Sequence, residues 1–181
     1  MSVTQSSLIW IESLASQQNE VSSGKRPAVE LYHAKERLLA VESFTFLNEL
    51  LTAFEKLREH FNAHLNAMAE DSSLKVKHES ASSFSILCGE HCLNLNNSQP
   101  GTIQVQCSKG IDGNSRNRVA MFGGSLEAQS GAFYDLNWFY LGSPITADQA
   151  ARYFITELIQ LSLRQDESRH PAFEDSQQVL W

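Results

Sequence analysis

Three cysteines, nine glycines and four prolines are spread through 181 residues, and each scarcity excludes something. An odd number of cysteines at irregular spacing (Cys88, Cys92, Cys107) argues against a disulfide-stapled secreted scaffold. A reducing cytoplasm is therefore the expected compartment. Basic residues are also short: 14 Lys and Arg against 21 Asp and Glu leave a formal charge of -7. That balance disfavours a general binder of nucleic acid or anionic membrane, which needs a basic face to neutralise phosphate. No apolar run approaches the roughly 20 residues that span a bilayer. The N-terminal residues lack the basic region and apolar core of a signal peptide. No internal repeat is visible. Walker, Rossmann, Gly-x-Ser-x-Gly and kinase patterns are missing, so the sequence carries no catalytic signature and implies no cofactor.

What is present reads as one folded domain, since 42% hydrophobic and 19% charged residues are ordinary for a globular chain of this length. Its dominant feature is an amphipathic run over residues 31–68 with neither Gly nor Pro. Leu47, Leu50, Phe54, Leu57, Phe61, His64 and Met68 recur at spacings of three and four, which places them on one helix face. As one straight helix from Ala28 the run would be about 60 Å long at about 1.5 Å per residue. A domain of this size has a diameter near ~40 Å, so such a helix protrudes, pairs or bends. The earlier phase of the run, Leu31, Ala34, Leu38 and Val41, slips by roughly 200° before Leu47. Either the middle is covered on two sides or the helix breaks there. With no Gly or Pro, a continuous helix is expected. Its later face should meet a sheet, and Leu31, Leu38 and Val41 a helix neighbour or second subunit.

Ahead of this run, Thr4 can cap a first helix carrying Leu8, Ile11 and Leu14. Beyond it the period changes to two. Leu74 and Val76, Phe84 to Cys88, Cys92 to Leu95, and Ile103, Val105 and Cys107 alternate with polar residues, predicting antiparallel strands joined by short turns. Residues 96–101 form a turn cluster, and residues 109–117 read as a polar loop. Two further strands are expected over 118–129 and 133–141, with a bulge or bend at Gly123-Gly124. Thr146-Ala147-Asp148-Gln149 matches a capping box and opens a helix. The predicted fold is thus a two-layer α+β domain: an antiparallel meander packed against a long N-terminal-half helix and a C-terminal helix. Its bounds are residues 1–165 (helices in 1–70, sheet in 74–141, helix 146–164), followed by a tail, 166–181.

Four constellations are candidates for function. His60 and His64, four apart on a helix, could share a metal, but His64 falls in the apolar stripe and reads as a half-buried core residue. Cys88-Gly89-Glu90-His91-Cys92 offers three soft ligands without a second pair, so buried thiols are the expected outcome. Neither is taken as a metal site. Lys109, Arg116 and Arg118 cluster near a loop and could hold a phosphate, a nucleic acid or an acidic partner. Finally, Tyr134, Trp138 and Tyr140 share one strand face, and Phe173, Leu180 and Trp181 stud the tail; aromatic and apolar anchors of this kind are enriched at interfaces. The function expected from these features is non-catalytic binding of another protein, as an adaptor, chaperone or inhibitor. Homo-oligomer formation belongs to that expectation, and nucleic acid or membrane does not.

Overall fold

The computed structural model of the chain describes residues 5–23, 28–65, 73–111, 114–130 and 135–169. Among the described residues three helices and seven strands follow in the order α1 (Gln5–Ser23), α2 (Ala28–Ala63), β1 (Leu74–Ser80), β2 (Ser83–Cys88), β3 (His91–Gln99), β4 (Thr102–Ile111), β5 (Asn114–Ser130), β6 (Leu136–Tyr140), β7 (Ser143–Pro144) and α3 (Ala147–Arg169). Each strand pairs antiparallel with the next, so the sheet is a seven-stranded meander. Helices α2 and α3 pack on one another and cover one sheet face, which is the two-layer α+β architecture expected from the sequence. Among the described residues no helix is long and apolar enough to cross a membrane.

Strand alternation sorts the sheet into a dry and a wet face. Pairing of Ile86 with Leu93, Leu93 with Cys107, and Cys107 with Phe122 runs an apolar row across four strands beneath the helices. The opposite face carries Lys75, Lys77, Gln104, Gln106 and Glu127, all exposed. From the helical side, Leu47, Leu50 and Phe54 of α2 and Phe154 and Leu158 of α3 close the core. Ala147, Ala150 and Ala151 at the start of α3 are buried, and their small side chains leave room for the neighbouring layer. The capping box forms: Thr146 N–H donates to Gln149 Oε1 at 2.9 Å and Gln149 N–H to Thr146 Oγ1 at 3.3 Å.

Helix α2 is continuous through the phase slip, and its middle is covered rather than broken. Ser43 is wholly buried there. Its hydroxyl donates to Leu39 O at 2.6 Å and accepts the N–H of Gly101, in the β3–β4 turn, at 2.7 Å. The sheet-facing stripe therefore runs from Leu39 through Ser43 and Phe46 to Leu50, with a serine between the two apolar phases. At its other end α2 stops at Ala63, short of the expected Met68, and residues 66–72 lie outside the described residues. Asn62 ties this end to the sheet: Leu74 N–H donates to its Oδ1 at 2.9 Å and its Nδ2 donates to Leu74 O at 2.8 Å.

Three boundaries differ from the sequence reading. The turn cluster at 96–101 contracts to Pro100-Gly101, because Asn97 pairs with Ile103 and Gln99 with Thr102. Much of the polar loop at 109–117 is instead extended, since β4 continues to Ile111 and β5 begins at Asn114. Helix α3 passes the expected end at residue 164 and reaches Arg169. Arg, Gln and Glu are good helix formers, so a polar segment continues an established helix at little cost.

Candidate functional site

The N-terminal helix carries the clearest uncommitted surface. Advancing about 100° per residue, Leu8, Ile11, Leu14, Ala15, Gln18, Val21 and Ser22 fall within an arc of about 140° on α1. All seven are exposed, and none is charged. Leu8, Ile11, Leu14 and Val21 keep 50, 50, 39 and 61% of their surface, although α1 lies along α2. Scattered exposed leucines are normal, but a contiguous uncharged stripe of them is not. The spacing was legible in the sequence; its exposure was not, because exposure depends on where α2 sits.

The residues singled out as partner contacts are placed differently. Leu38 is buried and Val41 half-buried, while the side chain of Leu31 lies outside the described residues. Trp138 is a core residue: it is buried and stacks on Phe46 with ring centroids 4.4 Å apart and planes 9° from parallel. Tyr140 is half-buried against Tyr153 and Phe154, at 5.5 and 5.1 Å. Burial and the neighbouring Tyr153 hold its phenol above the ordinary range. The aromatic face of β6 is thus occupied within the domain, because it is the face turned to the helices. Tyr134, Phe173, Leu180 and Trp181 lie outside the described residues.

Neither histidine–cysteine constellation assembles. His60 and His64 are both exposed. His64, expected to be half-buried, falls in a turn just after α2 ends, with its N–H on Phe61 O at 3.1 Å. Its Nδ1 lies 2.7 Å from His60 O, so the ring turns back on the helix end. Cys88 and His91 face each other across the Gly89-Glu90 turn, on the helix-covered face. Cys92, one residue further, belongs to the opposite face by alternation. The sheet therefore divides the three. Among the described residues no group of three or more His, Cys, Asp or Glu can hold a metal ion. Cys107 and Cys88 are also poor nucleophiles: burial pushes Cys107 up to about 12, and burial raises Cys88 despite its contact with Ser162 Oγ at 3.6 Å.

His91 is the unusual member of this set. It is 1% exposed, and neither ring nitrogen has a hydrogen-bond partner among the described residues. Burial lowers its pKa first and the Lys109 charge lowers it further, while Glu90 opposes both. Lys109 Nζ itself pairs with Glu90 Oε2 at 3.9 Å.

The cationic cluster does not converge. Lys109 pairs with Val119 and Gly110 with Arg118, so Lys109 and Arg118 fall on opposite faces of the β4–β5 hairpin. Arg118 Nη1 reaches Ser108 Oγ at 3.4 Å on the wet face. The side chain of Arg116 lies outside the described residues. A shallow groove of about 630 Å³ runs between α2 and α3, lined by Asn48, Glu49, Thr52, Lys56 and Asp148 among others. Asp148 is paired with Arg152, and Thr52 Oγ1 is bound to Asn48 O at 2.9 Å. No family model, curated protein or solved structure matches the chain.

Proposed function

We propose that the protein acts by binding another protein, without catalysis, as an adaptor, chaperone or inhibitor in the cytoplasm. The observation that carries this reading is the uncharged stripe of Leu8, Ile11, Leu14 and Val21 along α1. Covering these side chains removes apolar surface from water at about 25 cal/mol per Å². Over about 20 Å of helix, the stripe presents the i, i+3, i+6 anchors that a partner helix or groove receives. The acidic balance of the chain fits a selective partner surface better than a phosphate backbone.

Site-specific photo-crosslinking in the producing cell tests this. A photoreactive side chain at Leu8, Ile11 or Leu14 should give one discrete intermolecular product. The same group at Ser16, exposed on the other side of α1, should give none. Equal labelling at all four positions, or products confined to α2 of the same chain, would overturn the reading.

A further inference from the structure

We infer that the edge of β5 over residues 118–125 is a homodimer interface, where the same edge of a second copy adds antiparallel to extend the sheet.

The argument begins with unequal strand lengths. β5 has 17 residues and β6 only five. β6 pairs with Leu126 to Ser130, after which Leu141-Gly142 turns the chain back into β7. On its other side β5 remains paired with β4 as far as Arg118, apart from a bulge at Met121, which faces no β4 residue and brings Arg118 and Ser125 to the same face. Among the described residues, 118–125 thus has one ladder filled and no strand on the other side. Eight residues at about 3.3 Å each make an open edge of about 26 Å.

Open edges invite pairing, and proteins that keep them free place charges on them. The terminal strand β1 does so, with exposed Lys75, Lys77 and Glu79. The β5 edge has a bulge at Met121 but no such charges. From Val119 to Ser125 it has no charge and no proline, and Val119 and Met121 are 50 and 43% exposed. Gly123, also exposed, offers no side chain to hold a neighbour away.

Self-complementarity identifies the occupant. A two-fold axis at the centre of the edge places residue 118 opposite residue 125 of the second copy. Arg118, Ser125 and Glu127 all belong to the wet face: Arg118 contacts Ser108, and Ser125 Oγ donates to Glu127 Oε1 at 2.9 Å. Each Arg118 therefore meets the Ser125–Glu127 pair of its mate, twice per dimer. On the opposite face Val119 comes beside Gly124, where the Tyr140 ring already lies close enough that a Cβ on Gly124 would sit 3.0 Å from Tyr140 Cε2, so Val119 would pack on the edge of that ring. This interface is separate from α1.

Sedimentation of the full chain across a concentration series tests the assignment. The wild type should show a monomer–dimer equilibrium. Arg118→Glu and Glu127→Arg should each raise the dimer dissociation constant about tenfold, and the double exchange should restore it. Ile11→Ser should leave it unchanged. A wild type that stays monomeric throughout would overturn the assignment. So would a dimer indifferent to both single exchanges, or one abolished by Ile11→Ser.

Discussion

The Ser43 hydroxyl accepts the Gly101 N–H at 2.7 Å, joining the middle of α2 to the β3–β4 turn across 58 positions of sequence. Both groups are buried, so the bond replaces water for a backbone donor with no ladder partner. Gly101 adopts φ +82°, and a Cβ there would lie 3.2 Å from Leu39 Cδ2. Ser43→Ala should cost about 1–3 kcal/mol by stranding that donor. Gly101→Ala should cost at least as much, since it meets both the left-handed backbone and Leu39. Urea denaturation of the two variants against wild type checks this.

Trp138 and Ile11 should behave oppositely although both are large and apolar. Trp138→Ala removes the ring stacked on Phe46 and should destabilise by about 3–5 kcal/mol. Ile11→Ser, on the exposed stripe, should change stability by no more than about 0.5 kcal/mol. Thermal melts of both variants are the measurement. Binding lost with Trp138→Ala would then be read as unfolding, and binding lost with Ile11→Ser as a lost contact.

Leu141 is 81% exposed and sits at φ +50°, followed by Gly142 at +78°. Two successive positive φ values make the tight hairpin turn that favours Asn-Gly. A leucine there pays a steric cost of roughly 1–2 kcal/mol and gains no burial. Leu141→Asn should stabilise the protein by about 1 kcal/mol, seen as a higher denaturation midpoint at unchanged slope.

His91 gives the protein an acid sensitivity of definite sign. Its folded pKa is lowered from 6.5 because burial and Lys109 disfavour the imidazolium. Well above pH 6.5 the ring is neutral in both folded and unfolded chains and has no effect. As the pH falls through that value the unfolded chain takes up a proton that the folded chain refuses. Stability then declines by at most about 1.4 kcal/mol per pH unit until the lower, folded pKa is passed. His91→Leu should flatten this part of the stability–pH curve, measured by urea denaturation at a series of pH values.

Much of this fold was legible because it rests on local periodicity. The alternation around Ile103, Val105 and Cys107 identifies a one-sided strand, and Thr146 with Gln149 marks the start of α3, without reference to anything distant. The division of Cys88 and His91 from Cys92 was not read from the sequence: it follows from the register of the hairpin, in which a two-residue turn at Gly89-Glu90 sets 88 opposite 91 and turns 92 away. Ser43 was not readable, since a serine declares itself a core residue only when a specific backbone N–H arrives to satisfy it. The burial of Trp138 was not readable for a related reason, because a strand pattern defines two faces without saying which one the helices cover.

The sequence by itself determined the order of helices and strands, the meander, and the absence of helix breakers across α2, since these follow from spacing and backbone preference within a few residues. Only the tertiary structure decided which apolar surfaces remain open. Leu8, Ile11 and Leu14 recur at helical spacing just as Leu47, Leu50 and Phe54 do, yet the second set is sealed by the sheet and the first faces solvent. Likewise the open stretch of β5 exists because β6 is short and turns away at Leu141. Exposure depends on what lies opposite a residue, and for α1 and β5 that is decided by chain segments far away in sequence.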